Sequence, residues 1–241
     1  MKIGIISDVH ANLEALEAAF LVLSDVDAYA CLGDVVGYGA QPNECCDLIR
    51  RRVSVTVMGN HDAAVCGKMD YSYYRAEARQ ALDWHARVLT PENKRWLSSL
   101  PMTDRIEHVA FCHGSPVDPD AFEYIFSVEQ MHDLLPVYDE MADVTFIGHS
   151  HLCKSFAFDR QGAREVLNTR FTAQPDFKYV VTAGSVGQPR DYDNRACCAV
   201  YDTETRTFEY RRVPYDVDAA AQKILDADLS ETFGKRLFLG I

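Results

Sequence analysis

Val53-Ser54-Val55-Thr56-Val57 runs directly into Met58-Gly59-Asn60-His61-Asp62. The β-branched run predicts a short buried strand. It stops at a glycine. An amide, an imidazole and a carboxylate then stand side by side on a tight turn. Three such groups at the end of an apolar strand are costly to bury without partners. In α/β sheets, ligands collect at the carboxyl ends of strands. Four other strand ends carry related chemistry: Asp8-Val9-His10, Gly33-Asp34, His113-Gly114 and Gly148-His149-Ser150-His151.

The segments between these ends read as follows. Lys2 to Ser7 is an apolar strand, and Asn12 caps a helix carrying Leu13, Leu16, Ala19, Phe20 and Leu23 at helical spacing. Ala28 to Leu32 is a second strand. The loop Gly37-Tyr38-Gly39 leads to a helix from Pro42 to Arg52, whose Arg50-Arg51-Arg52 end suits the negative pole of the helix dipole. A helix from Tyr73 to Leu89 follows, and Thr90-Pro91-Glu92 opens another. Ile106 to Cys112 is a strand, Ser115 to Tyr124 a loop, and Ser127-Val128-Glu129-Gln130 a capping box for a helix to Leu135. Val144 to Ile147 is a strand. From Ser155 onward, strands at 155–158, 165–167, 179–182, 197–201 and 207–213 are joined by turns, as in an antiparallel sheet. Val217 to Leu229 is the last helix. A βαβαβ half followed by a β-rich half predicts an α+β fold: two mixed sheets packed face to face, helices on both outer faces. No repeat or linker divides residues 1–241, so a single domain is expected.

The composition narrows the partners. The chain has 241 residues, 48% of them apolar, and a formal net charge of -12. An acidic surface argues against a nucleic-acid polymer and leaves room for a small phosphorylated substrate. The eight cysteines include no CxxC pair, which argues against structural zinc and for free thiols in a reducing compartment. No signal peptide and no bilayer-length apolar run is present, so a cytoplasmic protein without a membrane span is expected. The oligomeric state is not legible.

Seven side chains at the strand ends are candidate metal ligands: Asp8, His10, Asp34, Asn60, His113, His149 and His151. Seven are too many for one ion. They suit two divalent ions about 3.5–4 Å apart, with Asp34 as the bridge because its carboxylate has two oxygens to share. Mixed imidazole and oxygen donors favour manganese, with iron, zinc, cobalt or nickel as alternatives, over calcium. Two carboxylates and one hydroxide against two divalent ions leave a net charge of about +1, which suits an anionic phosphate.

In this order and spacing, the motifs resemble those of the calcineurin-like metallophosphoesterase superfamily, and within it the small bacterial and archaeal phosphodiesterase-type members. The match spans positions 8 to 151. The resemblance implies a four-layer αββα sandwich. It implies one ion on Asp8, His10, Asp34 and His151, and a second on Asp34, Asn60, His113 and His149. It assigns catalysis to His61, Asp34 and Asn60. His61 would contact the phosphate and protonate the leaving oxygen, while a hydroxide held by the metals attacks in line. The implied substrate is a phosphodiester or a nucleotide. A phosphomonoester is the alternative, and some relatives are non-catalytic scaffold subunits. The chain departs from protein serine/threonine phosphatases, which carry Asp-Arg-Gly where Asp34-Val35-Val36 stands and Glu where Asp62 stands, so a phosphoprotein substrate is disfavoured. Tyr38 and Arg190 are candidate substrate contacts, and the loop around Phe122 and Tyr124 a candidate pocket wall or lid. His85, His108 and His132 lie outside the motifs and read as structural or exposed.

Overall fold

The computed structural model describes residues 1–241. β1 (Lys2–Ile6) leads to α1 (Leu13–Val22), whose first turn is closed by the Asn12 side chain accepting from the Ala15 N–H. β2 (Ala28–Cys31), α2 (Pro42–Arg52) and β3 (Val55–Thr56) complete the expected βαβαβ run, with β1, β2 and β3 parallel. Three helices follow: α3 (Asn60–Val65), α4 (Ala76–Val88) and α5 (Pro91–Ser99), the last capped by Thr90. β4 (Thr103–Ile106) and β5 (Val109–Cys112) form a hairpin. Then come β6 (Val144–Ile147), β7 (Cys153–Phe158), β8 (Ala163–Glu165), β9 (Arg170–Thr172), β10 (Lys178–Ala183), β11 (Ala196–Asp202) and β12 (Thr207–Val213). α6 (Val217–Asp226) and α7 (Glu231–Leu239) close the chain.

The strands form two mixed six-stranded sheets, ordered β3-β2-β1-β11-β12-β9 and β4-β5-β6-β10-β7-β8. Strand alternation sorts each strand's residues between two cores. Ile3 and Ile5 of β1, Ala199 and Tyr201 of β11, Phe111 of β5 and Val144 and Phe146 of β6 fill the space between the sheets. The opposite faces of β1 and β11 send Ile6, Cys198 and Val200 under α1, α2 and the helices after β3. Burying each large apolar side chain contributes roughly 1.5–3 kcal/mol before entropy is subtracted.

Six expectations need correction. The helix expected from Val217 to Leu229 is not the last: α6 stops at Asp226 and α7 follows. The strand expected from Ile106 to Cys112 is broken by a turn at Glu107–His108, so that Ile106 closes β4 and Val109 opens β5. The run from Val53 to Val57 is not a buried strand along its length: only Val55 and Thr56 pair, half-buried, because β3 lies at the edge of its sheet. The β-rich half is not one antiparallel sheet: β7, β8 and β10 join the second sheet, and β9, β11 and β12 extend the first. The strand expected at 165–167 lies at Ala163–Glu165, leaving Leu167 exposed. The helix expected from Ser127 forms as a 3-10 helix, Glu129–Val137, with no cap from Ser127. There the Gln130 side chain accepts from the Phe126 and Ser127 N–H groups, and Pro136 removes a donor. This 3-10 segment covers the outer face of the second sheet through Met131 and Leu134.

Candidate metal centre and its cleft

The parallel strands β1, β2 and β3 of one sheet and β5 and β6 of the other point their carboxyl ends at one place. All seven candidate ligands and His61 meet there, and all eight are buried. Reaching it takes unusual backbone. Asp8, His10, Asp34, His149 and His151 have φ of 51°, 48°, 51°, 66° and 59°, the left-handed region that non-glycine residues avoid. Gly59 is required by contact: a methyl group there would lie 2.1 Å from Asp34 Oδ1.

The polar atoms fall into two groups around Asp34. His10 Nε2 lies 3.0 Å from His151 Nε2, 3.8 Å from Asp8 Oδ1 and 3.7 Å from Asp34 Oδ2. On the other side, His113 Nε2 lies 3.4 Å from Asp34 Oδ2 and 3.0 Å from Asn60 Oδ1, with the His149 ring 5.0 Å away between centroids. Asp34 Oδ2 alone faces both groups, because Oδ1 accepts the His61 backbone N–H at 2.8 Å. Sharing would therefore run through a single oxygen, not through both as the carboxylate's chemistry alone suggests.

The tautomers suit cation binding. His10 Nδ1 faces the Val36 carbonyl at 3.0 Å, His113 Nδ1 that of Leu32 at 2.7 Å, and His151 Nδ1 that of Gln188 at 2.5 Å. Each Nδ1 donates to a carbonyl, so each Nε2 turns its lone pair inward. Two imidazole acceptors 3.0 Å apart need a cation or a proton between them. Asp8 Oδ1 beside them is buried without a hydrogen-bond partner, while Oδ2 is held by the Ser7 hydroxyl at 2.6 Å and the His149 N–H at 3.1 Å. The donors fit divalent metal.

Electrostatics agree for four of the five imidazoles: burial depresses His10 and His151, brings His149 down to about 3 and His61 to about 4, leaving neutral rings at pH 7. His113 is the exception: burial would lower it, but the Asp34 carboxylate beside it outweighs burial and raises it to about 9, so a cation binding there has to displace a proton. Burial alone would push the Asp8 and Asp34 carboxyls up; His151 beside Asp8 and His113 beside Asp34 outweigh it and hold both low. Burial and the Asp34 charge push Asp62 up to about 7. Its oxygens accept from the Val36 and Gly59 N–H groups, tying the loop after β2 to the turn after β3.

A cleft of about 630 Å³ opens over the centre. Tyr38 and Arg190 both line it. Tyr38 packs 4.6 Å from the His10 and His61 rings, and the Arg190 guanidinium lies 5.7 Å from the Tyr38 ring centre. Phe122 and Tyr124 form one wall, with Tyr124 stacked on His149 at 3.8 Å. His85 is buried beneath the glycine loop. It accepts from the Gly37 N–H at 3.0 Å and donates to the Gly39 carbonyl at 2.8 Å. His108 meets the Tyr201 hydroxyl, and His132 is exposed. Sequence reasoning missed Tyr74, whose hydroxyl accepts from Asn60, and the rim residues Arg75, Phe233 and Arg236. The aromatic run from Tyr71 to Tyr74, so soon after the Asn60 motif, was the available signal for Tyr74.

Comparison with known proteins agrees with this geometry. A protein of Methanocaldococcus jannaschii described as uncharacterised is 38% identical over 247 residues, covering 99% of this chain and 98% of its own. The crystal structure of a metallophosphoesterase from Sphaerobacter thermophilus superposes with a TM-score of 0.87 at 32% identity, over 100% of this chain and 99% of that one. A hypothetical protein from Pyrococcus horikoshii shares the fold at 18% identity, with a TM-score of 0.81 over 100% and 98% of the two chains. The model of the calcineurin-like phosphoesterase superfamily domain matches residues 1–206. The chain belongs to the calcineurin-like phosphoesterase superfamily.

Proposed function

We propose that this protein hydrolyses a phosphodiester or nucleotide-type substrate with two divalent cations, manganese first among them. Asp8, His10, Asp34 and His151 would hold one, and Asp34, Asn60, His113 and His149 the other. The observation that carries the reading is the facing pair His10 Nε2 and His151 Nε2, 3.0 Å apart beside the unpartnered Asp8 Oδ1. When bound, the cations supply Lewis-acid stabilisation of phosphate charge and activate water for attack on phosphorus.

The chain's own residues do the rest. Buried carbonyls orient the imidazoles. His61 stands over the centre with Nδ1 unpartnered, 5.0 Å from the His10 ring between centroids. An anionic phosphate beside His61 favours its protonated form, which can then deliver a proton to the leaving oxygen. Tyr38 and Arg190 border the same space, and a cleft of about 630 Å³ leaves room for substituents on both sides of a phosphorus atom. All eight cysteines are free, which supports a reducing cytosol, and no helix is long and apolar enough to cross a membrane.

His61→Ala tests the assignment. The variant is expected to keep its metal content and lose turnover by roughly 10²–10⁴-fold. Loss of metal would show that His61 is a ligand and overturn its role. Rates on bis(p-nitrophenyl) phosphate against p-nitrophenyl phosphate decide between diester and monoester.

A further inference from the structure

Three arginines from distant parts of the chain converge on the rim of this cleft: Arg75 before α4, Arg190 in the loop after β10, and Arg236 on α7. None forms an ion pair. Seven of the other fourteen arginines pair with carboxylates, among them Arg211 with Asp25, Arg206 with Asp143 and Arg212 with Asp191, and the seven that do not are exposed, whereas Arg190 and Arg236 are half-buried. The single side-chain hydrogen bond of Arg190 goes to the Gln188 amide oxygen at 2.9 Å, and its Nε is buried without a partner. Glu77 is the one other carboxylate on the cleft besides Asp34, and it pairs with none of the three. Arg190 and Arg236 are half-buried and close enough to repel, a cost that an anion bound between them would offset, and Arg75 is exposed on the same cleft. The Arg236 guanidinium is already made a weaker base, by burial first and by Arg190 next.

We propose that Arg75, Arg190 and Arg236 form a second anion subsite, which holds a non-scissile phosphate of a nucleotide carrying two or more phosphates. The proposal rests on the phosphoesterase reading above, which assigns the scissile phosphate to the centre formed by Asp34, Asn60 and the histidines. Planar guanidinium groups grip phosphate through paired N–H donors. Arg190 borders both regions: its guanidinium lies near Tyr38, which packs on His10 and His61, and it also acts on Arg236. Tyr73, 71% exposed on that rim, offers a face on which a base can stack.

The test uses the full chain stripped of metal, so that it reads binding without turnover. Calorimetric titration with ATP and with AMP is expected to show ATP binding about tenfold tighter or more. R236Q and, independently, R75Q are expected to shrink that ratio several-fold, with unchanged far-UV circular dichroism. Arg75 is exposed, so R75Q guards against a folding defect in R236Q. Equal affinity for ATP and AMP, or a ratio that neither substitution alters, would overturn the subsite. Metal-loaded wild-type protein inert toward every phosphoester would overturn the phosphoesterase reading instead, and the ATP-to-AMP ratio would still decide the subsite by itself.

Discussion

The Asn60 side-chain nitrogen donates to the Tyr74 hydroxyl at 2.7 Å. This contact decides which end of the amide faces the centre: Oδ1 is left 3.0 Å from His113 Nε2. Residues that orient a ligand act on metal affinity through it. Tyr74→Phe is therefore expected to weaken metal binding at the proposed Asn60 site about tenfold or more while the fold persists. Competition against a chelator of known affinity measures this. Unchanged affinity would mean that Asn60 is oriented by other contacts or is not a ligand.

Gly37 has a φ of 101°, and a methyl group there would lie 2.2 Å from His61 Nδ1. Gly37→Ala must strain the loop and displace the imidazole together. The expected result is a loss of about 1–3 kcal/mol in stability and a far larger loss in kcat, because a misplacement of about 1 Å can cost about a hundredfold. Urea unfolding and steady-state kinetics on the same preparation separate the two effects. A kcat near wild type would show that His61 tolerates displacement.

His85 supports that loop from below, and burial lowers its imidazole to about 4 from an ordinary 6.5. Between these values the unfolded chain is protonated and the folded chain is not. The unfolded state then binds more protons, so the stability tied to His85 is complete above pH 6.5 and is lost as pH falls toward 4. From pH 7 to pH 5 the loss is about 2 kcal/mol. His85→Asn keeps an acceptor at the Nδ1 position for the Gly37 N–H and removes the titration. The stability gap between wild type and His85→Asn should narrow by that amount over this pH interval in urea unfolding. A gap independent of pH would place the acid sensitivity elsewhere.

Metal removal should destabilise the native state by linkage. At a free metal concentration of 100 Kd, each site contributes about 2.7 kcal/mol. For a chain of this size that corresponds to a Tm shift of roughly 5–10 °C per site. Scanning calorimetry with chelator, then with manganese restored, measures it. A Tm indifferent to both would deny that the buried donors hold metal in the folded state.

Much of the site was legible because its residues sit where apolar runs stop. Asp8, Asp34 and His149 each follow a strand whose periodicity is plain, and Asn12 and Thr90 announce their helices by chemistry alone. What escaped did so for physical reasons. β4 and β9 are short edge pieces, Thr-Asp-Arg-Ile and Arg-Phe-Thr, whose pairing comes from neighbouring strands and not from their own apolar content. α3 begins at Asn60 itself, so a motif that reads as a turn is also the first turn of a helix. The contact between Tyr74 and Asn60 depends on the path between α3 and α4, and Arg236 arrives from α7, 46 residues after Arg190. No local pattern encodes either placement. The division of the late strands between two sheets likewise depends on which edges the earlier strands leave open.

The left-handed backbone at Asp8, His10, Asp34, His149 and His151 has an evolutionary consequence. Each such residue is disfavoured by roughly 1–2 kcal/mol relative to relaxed geometry, so together they hold on the order of 5 kcal/mol or more against the fold. A lineage freed from selection for hydrolysis would drift toward glycine or asparagine at these five positions, becoming more heat-resistant as it became inert. Homologues with glycine there and elevated melting temperatures would be the retired members of the family.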